Sequence, residues 1–163
     1  MPKEGSPKSN ASAYADALTM LARRELSEAQ VRERLERRRH PSGDIEAAID
    51  KLKEEAAIDD QRVARTIVRH ETAIKRRGKL RIKLAIARAG IAATIAMEAI
   101  QSEFADLDDH ALLDASLSKR LRHGRTIADD HEFQRLYRYL VGQGFESSAV
   151  LKALSARRRK PED

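Results

Sequence analysis

Residues 81–91 read RIKLAIARAGI, and two periodicities compete for them. Leu80, Ile82, Leu84 and Ile86 alternate with polar or small residues, which is the period of a half-buried strand. The same stretch also supports a helix with Ile82, Ile86 and Ala89 turned inward. A strand needs partners, and no other part of the chain reads as one. The helix is therefore the expectation. The pattern also recurs. RLYRYLVGQGF (135–145) repeats the arginine, the apolar pair and the terminal glycine-plus-apolar dipeptide. QVRERLERRRH (30–40) is a weaker copy in which Arg39-His40 stands at the Gly-apolar end.

Outward from these three pieces the pattern stays helical. Apolar residues fall at i, i+3, i+4 and i+7 spacings: Tyr14, Leu18 and Leu21; Val31 and Leu35; Ile45, Ala48, Ile49 and Leu52; Val63, Ile67 and Ile74. The series continues with Leu113, Leu117 and Leu121, then Phe133, Leu136, Tyr137 and Leu140, then Val150 and Leu154. Ser27-Glu28-Ala29-Gln30 is a capping box and predicts a helix start. Gly78, Gly90, Gly124 and Gly144 read as helix C-terminal glycines. Asp59-Asp60 and Asp108-Asp109 each open a helix that ends in a basic cluster and a glycine, KRRG (75–78) and LRHG (121–124). The parse is an all-α chain of three tandem three-helix repeats, at 13–57, 58–106 and 107–158, with a disordered leader at 1–12 and a tail at 159–163.

The 163 residues carry a net charge of +6, but 26 acidic residues accompany 32 basic ones, so much of the charge is ordinary solvated helix face. Cysteine is absent, which excludes disulfides, thiol catalysis and Cys-ligated metal centres. MPKEGSPKSN has no apolar signal core, and AGIAATIAM (89–97) is far too short to span a bilayer. A soluble cytoplasmic monomer without membrane contact is expected. Aromatics make up only 4% of residues and Trp is absent, so the core must be built from Leu, Ile, Val and Ala.

The segment IEAAIDKLKEEAAIDDQRVARTIVR (45–69) resembles the signature of the RecX family, regulators of the bacterial RecA recombinase. SEAQVRERLERR (27–38), RIKLAIARAGI (81–91) and RYLVGQGFESSAVLKAL (138–154) are similar to parts of its three repeats, and Asp59 and Asp60 match the family's junction motif. The chain departs from the family at Ala56-Ala57 (usually Gly and an aromatic), at Val63 (usually aromatic) and at Lys79 (usually Pro). The resemblance implies an elongated, curved helical array that binds the groove of the RecA–single-stranded-DNA filament. It also implies that such a protein damps ATP hydrolysis, strand exchange and co-protease activity in recombination, repair and the SOS response. No cofactor is implied.

IKRRGKLRIK (74–83) holds six basic residues in ten. Helix C-termini favour one or two cations through the dipole, each contributing about 0.3–1 kcal/mol. That does not account for six. Arg23 and Arg24, then Lys75, Arg76 and Arg77, then Arg120, Arg122 and Arg125 occupy equivalent junctions between the first and second helices of the units. Stacked repeats would align them as a basic ridge, extended by Lys79, Arg81 and Lys83, that faces protein and phosphate. Arg34, Arg37, Arg38 and Arg39 are interleaved with Glu28, Glu33 and Glu36, and internal pairing accounts for much of that set. The two DDH triplets, Asp108-Asp109-His110 and Asp129-Asp130-His131, suggest a metal-dependent enzyme. Their position at helix starts favours capping instead, so no catalytic or metal residue is assigned. Tyr137 and Phe145 read as core, and Tyr139 alone as an exposed ring. The alternative to a filament regulator is a general DNA-binding helical protein with no recombinase partner, which would bind free DNA with a steep salt dependence.

Overall fold

The structure is a computed structural model that describes residues 10–105, 107–121 and 125–158. Nine helices make up the described residues: α1 (Asn10–Leu21), α2 (Glu28–Arg37), α3 (Ser42–Glu54), α4 (Asp60–Ala73), α5 (Lys79–Arg88), α6 (Ala93–Phe104), α7 (Asp109–Arg120), α8 (Asp130–Gly142) and α9 (Ser147–Ala156). The described residues hold no strand, only an isolated bridge between Ile127 and Arg158. The all-helical expectation stands, including its least secure segment. In α5, Ile82 and Ile86 are fully buried and Ala89 nearly so, whereas Leu80 is 61% exposed. The helical period wins because Leu80 and Leu84 have no partner strand to face. We call α1–α3, α4–α6 and α7–α9 units 1, 2 and 3. The helix α1 begins at Asn10, three residues before the expected start of unit 1, while residues 1–9 and 159–163 lie outside the described residues.

Within the units, α1 packs on α3 and α4 on α6, and in unit 3 α8 packs on α9. The core is divided in two, not in three. One cluster belongs to unit 1 and runs from Ala13 to Ile58; the other is shared by units 2 and 3 and runs from Val63 to Leu154. Most expected inward positions are buried, among them Val31, Leu35, Ile49, Leu52, Leu117, Leu140 and Leu154. Two are not. Leu18 is half-exposed because α1 turns Ala13, Ala17 and Met20 inward, and the two alanines let α1 approach α3 closely. Ile74 is 66% exposed because α4 ends at Ala73 and the chain turns away before the next core position.

The second helices of the units meet end to end. At the α2 N-terminus the capping box forms as expected: Ser27 Oγ accepts from the Gln30 amide at 3.1 Å, and Gln30 Oε1 accepts from the Ser27 amide at 3.2 Å. Ser27 Oγ also donates to the Ala89 carbonyl at the end of α5. The α5 N-terminus then meets the end of α8, where the Gly78 amide donates to Gln143 O at 2.9 Å and the Leu80 amide to Gly144 O at 3.2 Å. At the α5–α8 joint free amides meet free carbonyls directly, and at the α2–α5 joint the capping hydroxyl of Ser27 takes up the carbonyl, so hydrogen bonds and dipoles are satisfied together.

The recurrent Gly-apolar dipeptide builds the carbonyl side of each joint. Gly90 (φ +73°) and Gly144 (φ +90°) are left-handed, and the Ile91 and Phe145 amides reach back to Ile86 O and Leu140 O at 3.4 and 3.3 Å. Arg39 (φ +61°) and His40 close α2 in the same way, through a 3.2 Å bond from the His40 amide to Leu35 O. Gly78 is a correction. It is the N-cap of α5 with ordinary φ, and the left-handed position after α4 is Arg76 at φ +52°. Glycine is required at 78 because a Cβ there would lie 2.3 Å from Gly144 O. Gly124 lies outside the described residues.

Two glycine substitutions separate backbone propensity from docking. Gly43→Ala, inside α3 with nothing within 4 Å of its Cβ, should stabilise the protein by about 0.5–1 kcal/mol. Gly78→Ala, equally permitted by its φ, should destabilise by about 1–3 kcal/mol because backbone must move to admit the methyl group. Thermal unfolding followed by circular dichroism checks both. Equal effects of the two substitutions would remove the end-to-end joint as a structural constraint.

Candidate partner-binding surface

The helix-opening aspartates cap their helices. Asp59 accepts from the Arg62 amide at 3.0 Å, Asp108 from the His110 amide at 2.8 Å and Asp129 from the Glu132 amide at 2.7 Å. Their neighbours work between elements. Asp60 Oδ1 accepts from the Glu28 amide at 2.9 Å, which ties unit 2 to the first turn of α2. Asp109 pairs with Lys79 Nζ at 2.6 Å, which ties unit 3 to the first turn of α5, and Asp130 pairs with Arg158. The carboxylates of both DDH triplets are thus engaged in caps and ion pairs. No group of three or more potential metal ligands converges among the described residues.

Arg23, Arg24, Lys75, Arg76, Arg77 and Arg125 lie in the loops between first and second helices, Arg120 ends α7, and Lys79, Arg81 and Lys83 lie in α5; their charges differ in availability. In unit 2 the side chain of Glu71 is 6% exposed and takes both Lys75 (2.8 Å) and Arg77 (2.6 Å). Burial alone would push its carboxyl up. The two cationic hydrogen bonds reverse that and hold it below the usual carboxylate range. Arg76 donates to Ala115 O at 3.2 Å, and Lys79 is held by Asp109 and lies 4.8 Å from the centre of the Phe104 ring. Of the six cations in IKRRGKLRIK, Arg81 and Lys83 have no acidic partner within 4 Å among the described residues, and neither does Arg76. The sequence reading missed the buried Glu71, whose position four residues before Lys75 was the available signal.

Unit 3 repeats the device. Buried Glu132 accepts from the Ala128 amide at 3.0 Å and draws in Arg125 and Arg135, each at 3.4 Å. Arg120 stacks 4.2 Å from the centre of the Tyr139 ring, so that ring is half-buried under a guanidinium rather than open; Phe145 is core, as expected. Arg122 lies outside the described residues.

Unit 1 differs. Its junction acid, Glu25, turns toward unit 2, where it binds Arg62 at 2.6 Å and Thr66 at 3.0 Å. Arg23 and Arg24 have no acidic partner within 4 Å among the described residues. They line a cleft of about 450 Å³ with Met20, Arg34, Arg37 and Arg38. The pairing expected along α2 forms in part: Arg32 with Glu28 at 3.1 Å and Arg37 with Glu33 at 2.6 Å. Arg38 instead reaches Asp16 of α1 at 3.2 Å, beside His40, which meets the same carboxylate at 2.8 Å.

The Glu71 clamp carries a pH signature. A carboxyl depressed by folding contributes stability that is fully present above its unfolded pKa, about 4.3. That contribution is lost as pH falls through the lower folded value. Glu71→Gln should therefore cost about 1–3 kcal/mol at neutral pH, and the gap to the unmodified protein should narrow below roughly pH 4. Urea unfolding across that range measures it; a gap independent of pH would show that the two cations do not hold the carboxylate.

The family model described as "RecX, first three-helix domain" matches residues 13–52. The "Regulatory protein RecX" of Chromohalobacter salexigens is 31% identical over 141 residues, 86% of this chain and 89% of that protein. The protein of the same name from Syntrophotalea carbinolica is 32% identical over 152 residues, 90% of this chain and 96% of that protein. Among solved structures, RecX from Lactobacillus salivarius superposes with a TM-score of 0.74 at 22% identity, covering 90% of this chain and 97% of that one. A second, described as regulatory protein RecX, gives a TM-score of 0.78 at 23% identity, over 90% of this chain and 73% of that one. Those two share the helical array. Identity above 30% across nearly the whole length carries the further step: the chain belongs to the RecX family of regulatory proteins.

Proposed function

We propose that this protein is a non-enzymatic regulator of the RecA recombinase. It binds the RecA–single-stranded-DNA filament in the cytoplasm and mainly inhibits ATP hydrolysis, strand exchange and co-protease activity. The observation that carries this reading is membership of the RecX family over nearly the full chain. The end-to-end column of α2, α5 and α8 supports it physically, since a row of joined units suits a partner that is itself a repeating polymer. Contact with the filament falls to cations not already held by buried glutamates, with Arg81 and Lys83 at the middle unit.

The test titrates the protein, well below one per recombinase protomer, into the recombinase ATPase on single-stranded DNA, with an unrelated DNA-dependent ATPase in parallel. Inhibition of the recombinase alone is expected. Equal inhibition of both would make the general DNA-binder the better account. Arg81→Glu with Lys83→Glu should weaken filament inhibition about tenfold or more while the helical content stays unchanged. Arg77 is unsuitable for this purpose, because removing it from Glu71 would perturb folding. Unchanged inhibition by the double variant would take Arg81 and Lys83 out of the interface.

A further inference from the structure

Three loops are equivalent by position, and two of them close their cations onto a buried glutamate, Glu71 in unit 2 and Glu132 in unit 3. The loop of unit 1 has no such acid among the described residues, because Glu25 faces Arg62. Its arginines line the cleft described above together with Arg34 and Arg37 of α2 and Arg38 at its C-cap. Two carboxylates, Glu33 and Asp16, answer Arg37 and Arg38. Arg23, Arg24 and Arg34 have none within ion-pair distance among the described residues. Partial burial, together with the Arg24 and Arg37 guanidiniums, pushes the pKa of Arg34 below the ordinary arginine value. Like charges held this close are unfavourable unless an anion joins them.

We propose that the cleft formed by Arg23, Arg24, Arg34, Arg37 and Arg38 is a phosphodiester-binding site that grips the backbone of single-stranded DNA. Guanidinium forks match phosphate oxygens in bidentate geometry, a directional match that lysine's single ammonium group does not offer although it carries the same charge. The cleft offers no aromatic ring for a base, and Met20 is its apolar wall. It therefore reads backbone and not sequence. Five arginines offer more donor forks than one phosphate can take, so consecutive phosphates of one strand fit the cleft better than an isolated anion. The choice of DNA rests on the filament reading above; the phosphate chemistry does not.

Binding of a fluorescein-labelled oligothymidylate to the full chain, followed by anisotropy across a salt series, tests the proposal. Each phosphate contact on a single strand contributes roughly 0.7 to the slope of log K against log salt. Arg24→Gln with Arg34→Gln should lower affinity about tenfold and reduce the slope by roughly 1.4. Arg24→Lys with Arg34→Lys should restore most of the slope. Because the arginines repel one another, the Gln variant should melt no lower than the unmodified protein, whereas arginines serving structure alone would lower the melting temperature when removed. An unchanged slope in the folded Gln variant, or no binding by the unmodified protein, overturns the site. Inorganic tripolyphosphate forms a second arm: if it raises the melting temperature of the unmodified protein only, while oligothymidylate binding is the same in both, the site holds a small polyphosphate and the strand assignment falls. The recombinase ATPase, run on the same variants, keeps the two ideas apart. Loss of oligothymidylate binding by the Gln variant, with an unmodified protein that leaves the recombinase untouched, retains the cleft and rejects the filament reading. The reverse result rejects the cleft alone.

Discussion

The hydrogen bonds that join one second helix to the next constrain everything else. A helix end leaves amides or carbonyls unpaired, and burying them without partners is costly. Here the ends are buried against each other, at Ser27 with Ala89 and at Gly78 with Gln143 and Gly144. That arrangement sets where glycine must stand. Gly90 meets the Ala29 side chain, and Gly144 meets the Arg81 backbone, at distances that leave no room for a Cβ. It also brings Asp60 and Asp109 to the first turns of α2 and α5, where each locks its unit to the one before. The direct contacts that join unit 1 to unit 2 are largely polar: Glu25 with Arg62 and Thr66, Asp60 with the Glu28 amide. Units 2 and 3 share a continuous apolar core.

Charge follows from this frame. A net excess of six cations is spread over the chain, but the protein does not leave all of them to solvent. Buried glutamates in the helices beside two of the three loops convert neighbouring cations into structural groups, which gain charge-assisted hydrogen bonds and lose their reach. A count of basic residues therefore overstates the surface available to an anionic partner. The loop that lacks such an acid concentrates what remains.

The sequence reading recovered the helices and most inward positions because apolar spacing and core packing share one cause. Ile82 and Ile86 were assigned correctly against a competing strand pattern, since that pattern had nothing to pair with. Leu18 and Ile74 were misplaced for different reasons. An alanine face can outcompete a leucine where helices approach closely, and one residue of helix length decides whether a side chain reaches the core. The role of Gly78 was not legible because it depends on backbone 66 residues away in the chain, at Gly144. The family was legible from ordered motifs. The pairing state of the cations was not, because Glu71 and Glu132 look in sequence like any solvated helix residue, and burial is decided by elements packed over them.

Arrays of like units carry a hazard, since an open end invites another copy. The N-terminal end of α8 is the place where a fourth second helix would join. That end is already occupied by the protein itself. Ile127 is buried, its amide bonds Arg157 O at 2.9 Å, Asp129 takes up the Glu132 amide of the first turn, and Glu132 takes up the Ala128 amide just before it. Three carboxylates there, counting Asp130, would repel an incoming carbonyl end. The start of α8 thus differs from those of α2 and α5: its own carboxylates and the end of α9 stand where a neighbouring helix's carbonyl end would sit.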